Sequence, residues 1–271
     1  MLDRDNGGNS EIIKPNYELS IGELSILTRG LLSERASDVP ENHRYVAIEV
    51  NNDSKYANIG RYIERTVFEE AFGNDANEMT KEYGPYESAS KFFISIDRVT
   101  EQPIGVLRII SNSQSGLKTI NDVIREPFNV NLDDVIQQHN ITDLNKVWDI
   151  GTVAILPNHL GSRGLPTVRL YRAIYKASLE RGVDYWVSIV DDDVLQMVKD
   201  HFGIPFMPLA NSKTGSYLGS EKSHAVCAYV PEFFEKMGKY MGAKSGPLNR
   251  RFYELLVDGG DDNSILLDQQ L

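Results

Sequence analysis

Asp149 is a carboxylate inside an otherwise apolar stretch, Val147 to Leu156 (VWDIGTVAIL). Burying a charge in such a run is costly unless it has a partner or a task. Two readings stand: proton transfer at a reaction centre, or a buried ion pair with Arg108. Arg108 raises the mirror question, as a cation in the apolar run Val106 to Ile110; it either serves a site or points outward to solvent. Arg65 stands four residues before Glu69, the spacing at which helical side chains pair, so it is a candidate site residue or one half of a surface pair. Asn158, Gly161, Ser162, Arg163 and Gly164 form a loop ahead of a helix that opens at Pro166 and Thr167. Free backbone N–H groups and the helix dipole make such a junction an anion site, to which Arg163 adds a charge-assisted contact; a plain connecting loop is the alternative.

The remaining chemistry-bearing residues are scattered. His43, His139, His159, His201 and His224 stand singly, Cys227 lies between Val226 and Ala228 as a small buried hydrophobe, and no nucleophile elbow, P-loop, dinucleotide fingerprint or H-E-x-x-H motif occurs. Asp191 and Asp192 end a strand and open a helix, which suits capping, with ligand contact at the strand's carboxyl end as the alternative. Tyr217 and Tyr229 are hydroxyls that could move a proton. Glu82-Tyr83-Gly84-Pro85-Tyr86-Glu87 is either the border of a cleft or a surface turn.

Spacing predicts the elements that must position these groups. Helices are expected over about 19–36, 56–72, 167–181, 191–202 and 231–241, with short helices in 118–140. Strands are expected over 44–50, 91–98, 104–110, 147–156 and 184–190, and near 205–209 and 223–230. The strand–helix–strand passage through 147–190 implies a parallel pair, and the 91–110 hairpin implies antiparallel neighbours. The fold class is therefore α/β: a mixed sheet with helices packed on it.

Three stretches resemble the GNAT superfamily, closest to its N-acyl amino acid synthase and acyl-homoserine-lactone synthase branch. Arg65-Thr66-Val67-Phe68 is similar to that branch's Arg-x-Val-Phe. Ile104-Gly105-Val106-Leu107-Arg108-Ile109, followed by Leu117-Lys118-Thr119, is similar to its Gly-x-x-Arg-Leu strand. Trp148 to Ile155 is similar to its Trp-Glu-x-Ser-Arg-Phe-x-Val strand, with Asp149 for Glu and Thr152 for Arg. The resemblance implies a mostly antiparallel sheet with a parallel splayed pair and helices on both faces. It implies an N-acyltransferase that moves an acyl group from an acyl-carrier-protein or acyl-coenzyme A thioester to a small amine such as an amino acid. Asp149, Arg108 and Arg65 would be catalytic, with Asp149 ordering a water or taking the amine proton. Val153, Ala154, Ile155 and Leu156 would lay backbone N–H groups along the pantetheine, and Arg163 and Gly164 would face its phosphates. No permanently bound cofactor or metal is implied. An ordinary acetyl-coenzyme A-dependent acetyltransferase and a catalytically degenerate binding module are the alternative readings.

Composition sets outer bounds. The chain has 271 residues, 28 Lys and Arg against 39 Asp and Glu for a net charge of −11, and one cysteine. A single cysteine excludes an internal disulfide and a thiolate zinc site. The acidic balance argues against a general nucleic-acid binder. No apolar run suits a membrane span and the first residues lack an apolar signal region, so a cytoplasmic protein is expected. One domain over 16–257 is expected, with flexible ends at 1–15 and 258–271. Lys236, Lys239, Lys244, Arg250 and Arg251 form a basic run in an acidic chain, a docking candidate for an acidic carrier protein or a solvated helix face.

Overall fold

The computed structural model describes residues 14–35, 43–159, 164–243 and 254. The expected ends over 1–13 and 258–271, and Arg163, Lys244, Arg250 and Arg251, lie outside the described residues. The chain runs α1 (Ile21–Glu34), β1 (Tyr45–Asn51), α2 (Ala57–Phe72), α3 (Ala76–Tyr83), β2 (Ser90–Asp97), β3 (Gln102–Ser111), α4 (Lys118–Val123) and α5 (Leu132–His139). It continues β4 (Val147–Ile155), α6 (Leu165–Glu180), β5 (Tyr185–Asp191), α7 (Asp192–Phe202), β6 (Met207–Pro208), β7 (Gly215–Tyr217), β8 (Ser220–Tyr229) and α8 (Phe233–Ala243).

Local chemistry sets many of these boundaries. Ser20 caps α1 in a capping box with Glu23, which starts the helix two residues later than apolar spacing suggests. Gly73, at φ 75°, ends α2 in the left-handed conformation. Asp75 accepts from the Asn77 and Glu78 amides and opens α3, a mostly polar helix that periodicity does not reveal. Its two buried residues, Met79 and Tyr83, are four apart and share one face.

The eight strands form one sheet in the order β1-β2-β3-β4-β5-β8-β6, with β7 also on β8. Every pairing is antiparallel except β4 with β5. Strand alternation sends side chains to two cores. Phe92, Ile94 and Ile96 join Ile59 and Ile63 of α2 and Leu24 and Leu31 of α1 on one face. Phe93, Leu107 and Ile109 join Leu170 and Ile174 of α6 on the other. Helices thus cover both faces, as expected. A third cluster packs α4 and α5 residues Val123 and Val135 against Val187 and Cys227.

The feature that matters for function lies at the parallel pair. β4 and β5 are in register at only three positions, Val147 with Tyr185, Trp148 with Trp186 and Asp149 with Val187. Past Asp149 the strands part, while each keeps its outer neighbour: β4 stays on β3 as far as Ile155, and β5 stays on β8 as far as Asp191.

Candidate active site at the parting strands

A cavity of ≈ 210 Å³ opens where β4 and β5 diverge. One wall is Ile150 to Val153 of β4, the opposite wall is Ser188 to Asp191 of β5, and α2 contributes Val67, Phe68, Ala71 and Phe72. Tyr171 of α6 and the β7–β8 turn close it. Ser188 Oγ donates to the Ile150 carbonyl at 2.8 Å and bridges the two strands at the start of the split.

Ladder geometry decides which β4 amides face this opening. In an antiparallel pair, alternate residues turn their N–H and C=O groups toward the partner strand. The Leu156 N–H donates to the Ile104 carbonyl at 2.9 Å. Counting back along the register, Ala154 opposite Val106 also faces β3, and Val153 and Ile155 turn toward the open edge. Of the four residues expected to supply free amides, two therefore can. Leu156 is occupied by Ile104, and alternation commits Ala154 to β3.

Gly164 sits at the start of α6 at φ 72°, a left-handed conformation that suits glycine. Pro166 in the first turn removes one N–H, and Leu165, Thr167 and Val168 are buried there.

Asp149 is fully buried and is not a lining residue of the cavity. It is not paired with Arg108. Its two oxygens accept from Thr119, one from the backbone N–H and one from Oγ1 at 2.9 Å. Burial pushes this carboxyl up to about 6, against the Thr119 hydrogen bonds and the charge of Lys118 that pull it down. Lys118, also buried, contacts Glu82, the Tyr217 hydroxyl and Asp122, the last at 2.8 Å. Tyr217 in turn donates to Asp122 at 2.5 Å and lines the cavity. Asp149 thus reaches the cavity only through Thr119, Lys118 and Tyr217.

Arg108 does not point to solvent; it is 0% exposed. Glu64 of α2, likewise 0% exposed, binds it through two hydrogen bonds of 2.8 and 2.6 Å. Glu87 adds a contact at 3.3 Å, and the Tyr17 hydroxyl accepts from it at 2.9 Å. The guanidinium stacks on Tyr83 at 4.2 Å and on Phe92 at 4.6 Å. Burial works against its charge, but Glu64, Tyr17 and Glu87 more than offset this and hold its pKa well above the ordinary value. Glu87 also binds Arg61 at 2.8 Å. Arg65 touches this network through the Tyr17 backbone, donating from Nε to its carbonyl at 3.5 Å; it also pairs with Glu69 at 2.5 Å, the pair that its spacing allows, and does not line the cavity.

The structure decides between the two readings left open for the Glu82–Glu87 segment and for Asp191. Tyr83, from the Glu82–Glu87 segment, is 1% exposed, donates to the Gly151 carbonyl at 2.7 Å and lines the cavity. Glu82 and Glu87 carry the anionic halves of the Lys118 and Arg108 networks, so this segment is no surface turn. Asp191 does cap α7, accepting from the Asp193 and Val194 amides. It also lines the cavity and accepts from Ser220 at 2.6 Å. Its place at a strand end that opens a helix is the signal for both roles. Lys236 and Lys239 each face a glutamate of their own segment, Glu232 at 3.0 Å and Glu235 at 2.5 Å, which offsets the charge of these two bases of the run. Among the described residues no group of three or more His, Cys, Asp or Glu could hold a metal ion, and no helix is long and apolar enough to cross a membrane.

No protein-family model and no curated protein sequence matches the chain. Solved structures do. The chain is similar to FeeM, an N-acyl amino acid synthase from uncultured soil microbes, at 17% identity and a TM-score of 0.52, over 71% of this chain and 94% of that one. It also matches the AHL synthase LasI at 16% identity and a TM-score of 0.48, over 69% and 91% of the two chains. The CoA-dependent acyl-homoserine lactone synthase BjaI matches at 8% identity and 0.45, over 75% and 90%. At the FeeM level the likeness is one of fold, and the parted β4–β5 pair agrees with it: the chain has the GNAT-like fold that its sequence motifs imply.

Proposed function

We propose that the protein is an N-acyltransferase that moves an acyl group from a pantetheine thioester, on coenzyme A or a carrier protein, to a small-molecule amine. One observation carries this reading: in a chain with the fold of an N-acyl amino acid synthase, an open strand edge leads into a largely apolar cavity. Thioester aminolysis needs a donor aimed at the carbonyl oxygen, an acceptor for the amine proton and a place for the acyl group. The Val153 N–H is the backbone donor beside the cavity. Asp191 is the carboxylate among the described lining residues, and we assign it the proton of the attacking amine. The amine nitrogen forms the new C–N bond, the C–S bond breaks, and sulfur leaves as the thiolate.

Phe68, Ala71, Phe72, Ile150 and Val194 offer the acyl chain an apolar lining. At ~10–15 Å³ of such space for one water, the cavity of ≈ 210 Å³ has room well beyond an acetyl group, which favours longer donors over the acetyltransferase alternative. Asp149 and Arg108 become positioning residues in this scheme, while Arg65 holds Glu69 and the Tyr17 carbonyl. Asp149 holds the start of α4, and with it Lys118, against Tyr217. Arg108 fixes α2 to β3 under the cavity.

The test is release of free thiol from acetyl, octanoyl and longer acyl donors, on coenzyme A and on carrier protein, with the amide product identified by mass. Release that favours the longer donors supports the reading. No release and no thermal shift with any donor would leave a binding module as the better account. If the helix α8 bases guide a carrier protein, Lys239→Glu slows carrier-borne donors and spares coenzyme A donors; equal rates on both remove the docking role.

A further inference from the structure

Among the described residues that line the cavity, one hydroxyl has no acceptor for its proton. Tyr83 gives its proton to the Gly151 carbonyl, and Thr152 gives its own to Tyr83. Ser188 donates to Ile150, and Tyr217 donates to Asp122. Ser223 donates to Ser220, which donates to Asp191. Tyr171 differs from all of them. It lines the same cavity from the second turn of α6 and is 3% exposed. Its ring packs beside Trp186, with centroids 6.4 Å apart. Among the described residues nothing accepts from its hydroxyl. Nor is its oxygen sealed in the core, as the unpartnered Ser95 Oγ is.

Because the oxygen is not sealed, it stays available to a ligand, and an acceptor oxygen brought into the cavity can accept its hydrogen bond. Burial raises the phenol's pKa, so Tyr171 remains a donor throughout the neutral range. The donor also lies on a meaningful side of the sheet. Val153 packs against the same apolar cluster that contains Tyr171, and its N–H turns to the open edge of β4. A backbone donor in the sheet plane and a phenol from the α6 face therefore serve one space.

We propose that Tyr171 donates a hydrogen bond to the carbonyl oxygen of the acyl thioester, as the side-chain partner of the Val153 amide. This rests on the acyl-transfer reading and adds a residue to it. As the amine nitrogen bonds to the carbonyl carbon, the C=O π pair moves onto oxygen, where the intact Tyr171 O–H stabilises it. When the C–S bond breaks, that pair re-forms the carbonyl and sulfur leaves with the former C–S pair. Nitrogen's proton goes to Asp191, and Tyr171 keeps its own.

The test is Tyr171→Phe, which keeps the ring and removes only the hydroxyl. Two ligands are compared, octanoyl-pantetheine and S-octyl-pantetheine, a thioether of the same chain without the carbonyl oxygen. The variant is expected to melt at about the wild-type temperature, since no hydrogen bond within the protein is lost. It should bind octanoyl-pantetheine about 5- to 10-fold more weakly, bind the thioether as wild type does, and lose roughly 10²-fold in kcat. An equal loss for both ligands overturns the carbonyl assignment, because the hydroxyl then serves the arm or the chain. A lower melting temperature with unchanged binding and kcat also overturns it, as a structural hydroxyl. If the wild type binds neither ligand, the acyl-thioester reading fails and this inference fails with it.

Discussion

At the scale of single residues, the polar groups beneath the cavity divide into two networks with different energetics. Arg108 is buried against Glu64 and Glu87, and removing one member leaves an uncompensated charge in the core. Arg108→Ala should cost about 3–5 kcal/mol in denaturant unfolding. The double variant Arg108→Met, Glu64→Leu should be less damaged than that single one, because neither charge of the bidentate pair remains. A double variant at least as damaged as the single would show that the pair is worth more than its desolvation. Asp149 behaves differently. Its folded pKa of about 6 stands above the unfolded value of 3.8, so its contribution to stability is present at low pH and is lost as pH rises through about 6. Asn in its place keeps an oxygen for the Thr119 N–H and offers an amide to the Thr119 hydroxyl. Asp149→Asn should therefore gain on wild type between pH 4 and pH 7, by about 3 kcal/mol at most; a constant difference across that range would mean that Asp149 is not titrating. Sequence reasoning singled out both charges because each interrupts an apolar strand. It did not find their partners, since Glu64 and Thr119 lie 44 and 30 residues away and nothing in periodicity reports a long-range pairing.

At the scale of elements, the cavity depends on a turn. Gly219, between β7 and β8, has φ 91°, and a Cβ there would stand 2.8 Å from the Phe72 carbonyl oxygen at the end of α2. Asn74 donates to the Leu218 carbonyl at 2.8 Å and ties the same turn to the residues just after α2. Gly219→Ala should strain the backbone and push the turn off α2, at about 1–3 kcal/mol. Because Phe72 and Leu218 both line the cavity, octanoyl transfer should suffer more than the melting temperature alone implies. Proportional losses in thermal unfolding and in turnover would reduce the turn to a scaffold. The long elements were legible beforehand: the apolar spacing of α2 and α6 and the runs in β2, β3 and β4 set their positions to within a few residues. The short ones were not. α3 is mostly polar and begins with a side-chain cap, and β7 is three residues held by pairing to β8. Tyr83 and Tyr217, both walls of the cavity, were named as candidates from the sequence, but the short elements that place them there were not read.

At the scale of the whole molecule, one sheet separates two apolar cores and fails to close at one place. The three-residue contact between β4 and β5 marks where the divergence starts, and each strand keeps its outer neighbour beyond it, so the opening is part of the topology. The sequence motifs located β4 as the centre of the site. They could not say which of its amides are free, because that depends on the phase of the β3 ladder and not on residue type. In the proposed reaction a long acyl chain lies in this opening. Ala71 lines it from α2 and is exposed, so Ala71→Trp adds bulk at the rim of the cavity without displacing core side chains. The decisive measurement is thiol release against acyl length for wild type and Ala71→Trp. The account predicts that wild type favours octanoyl over acetyl donors, and that the variant loses octanoyl turnover by ten-fold or more while its acetyl turnover stays within about two-fold. Equal loss at every chain length, or a wild type indifferent to chain length, would contradict it.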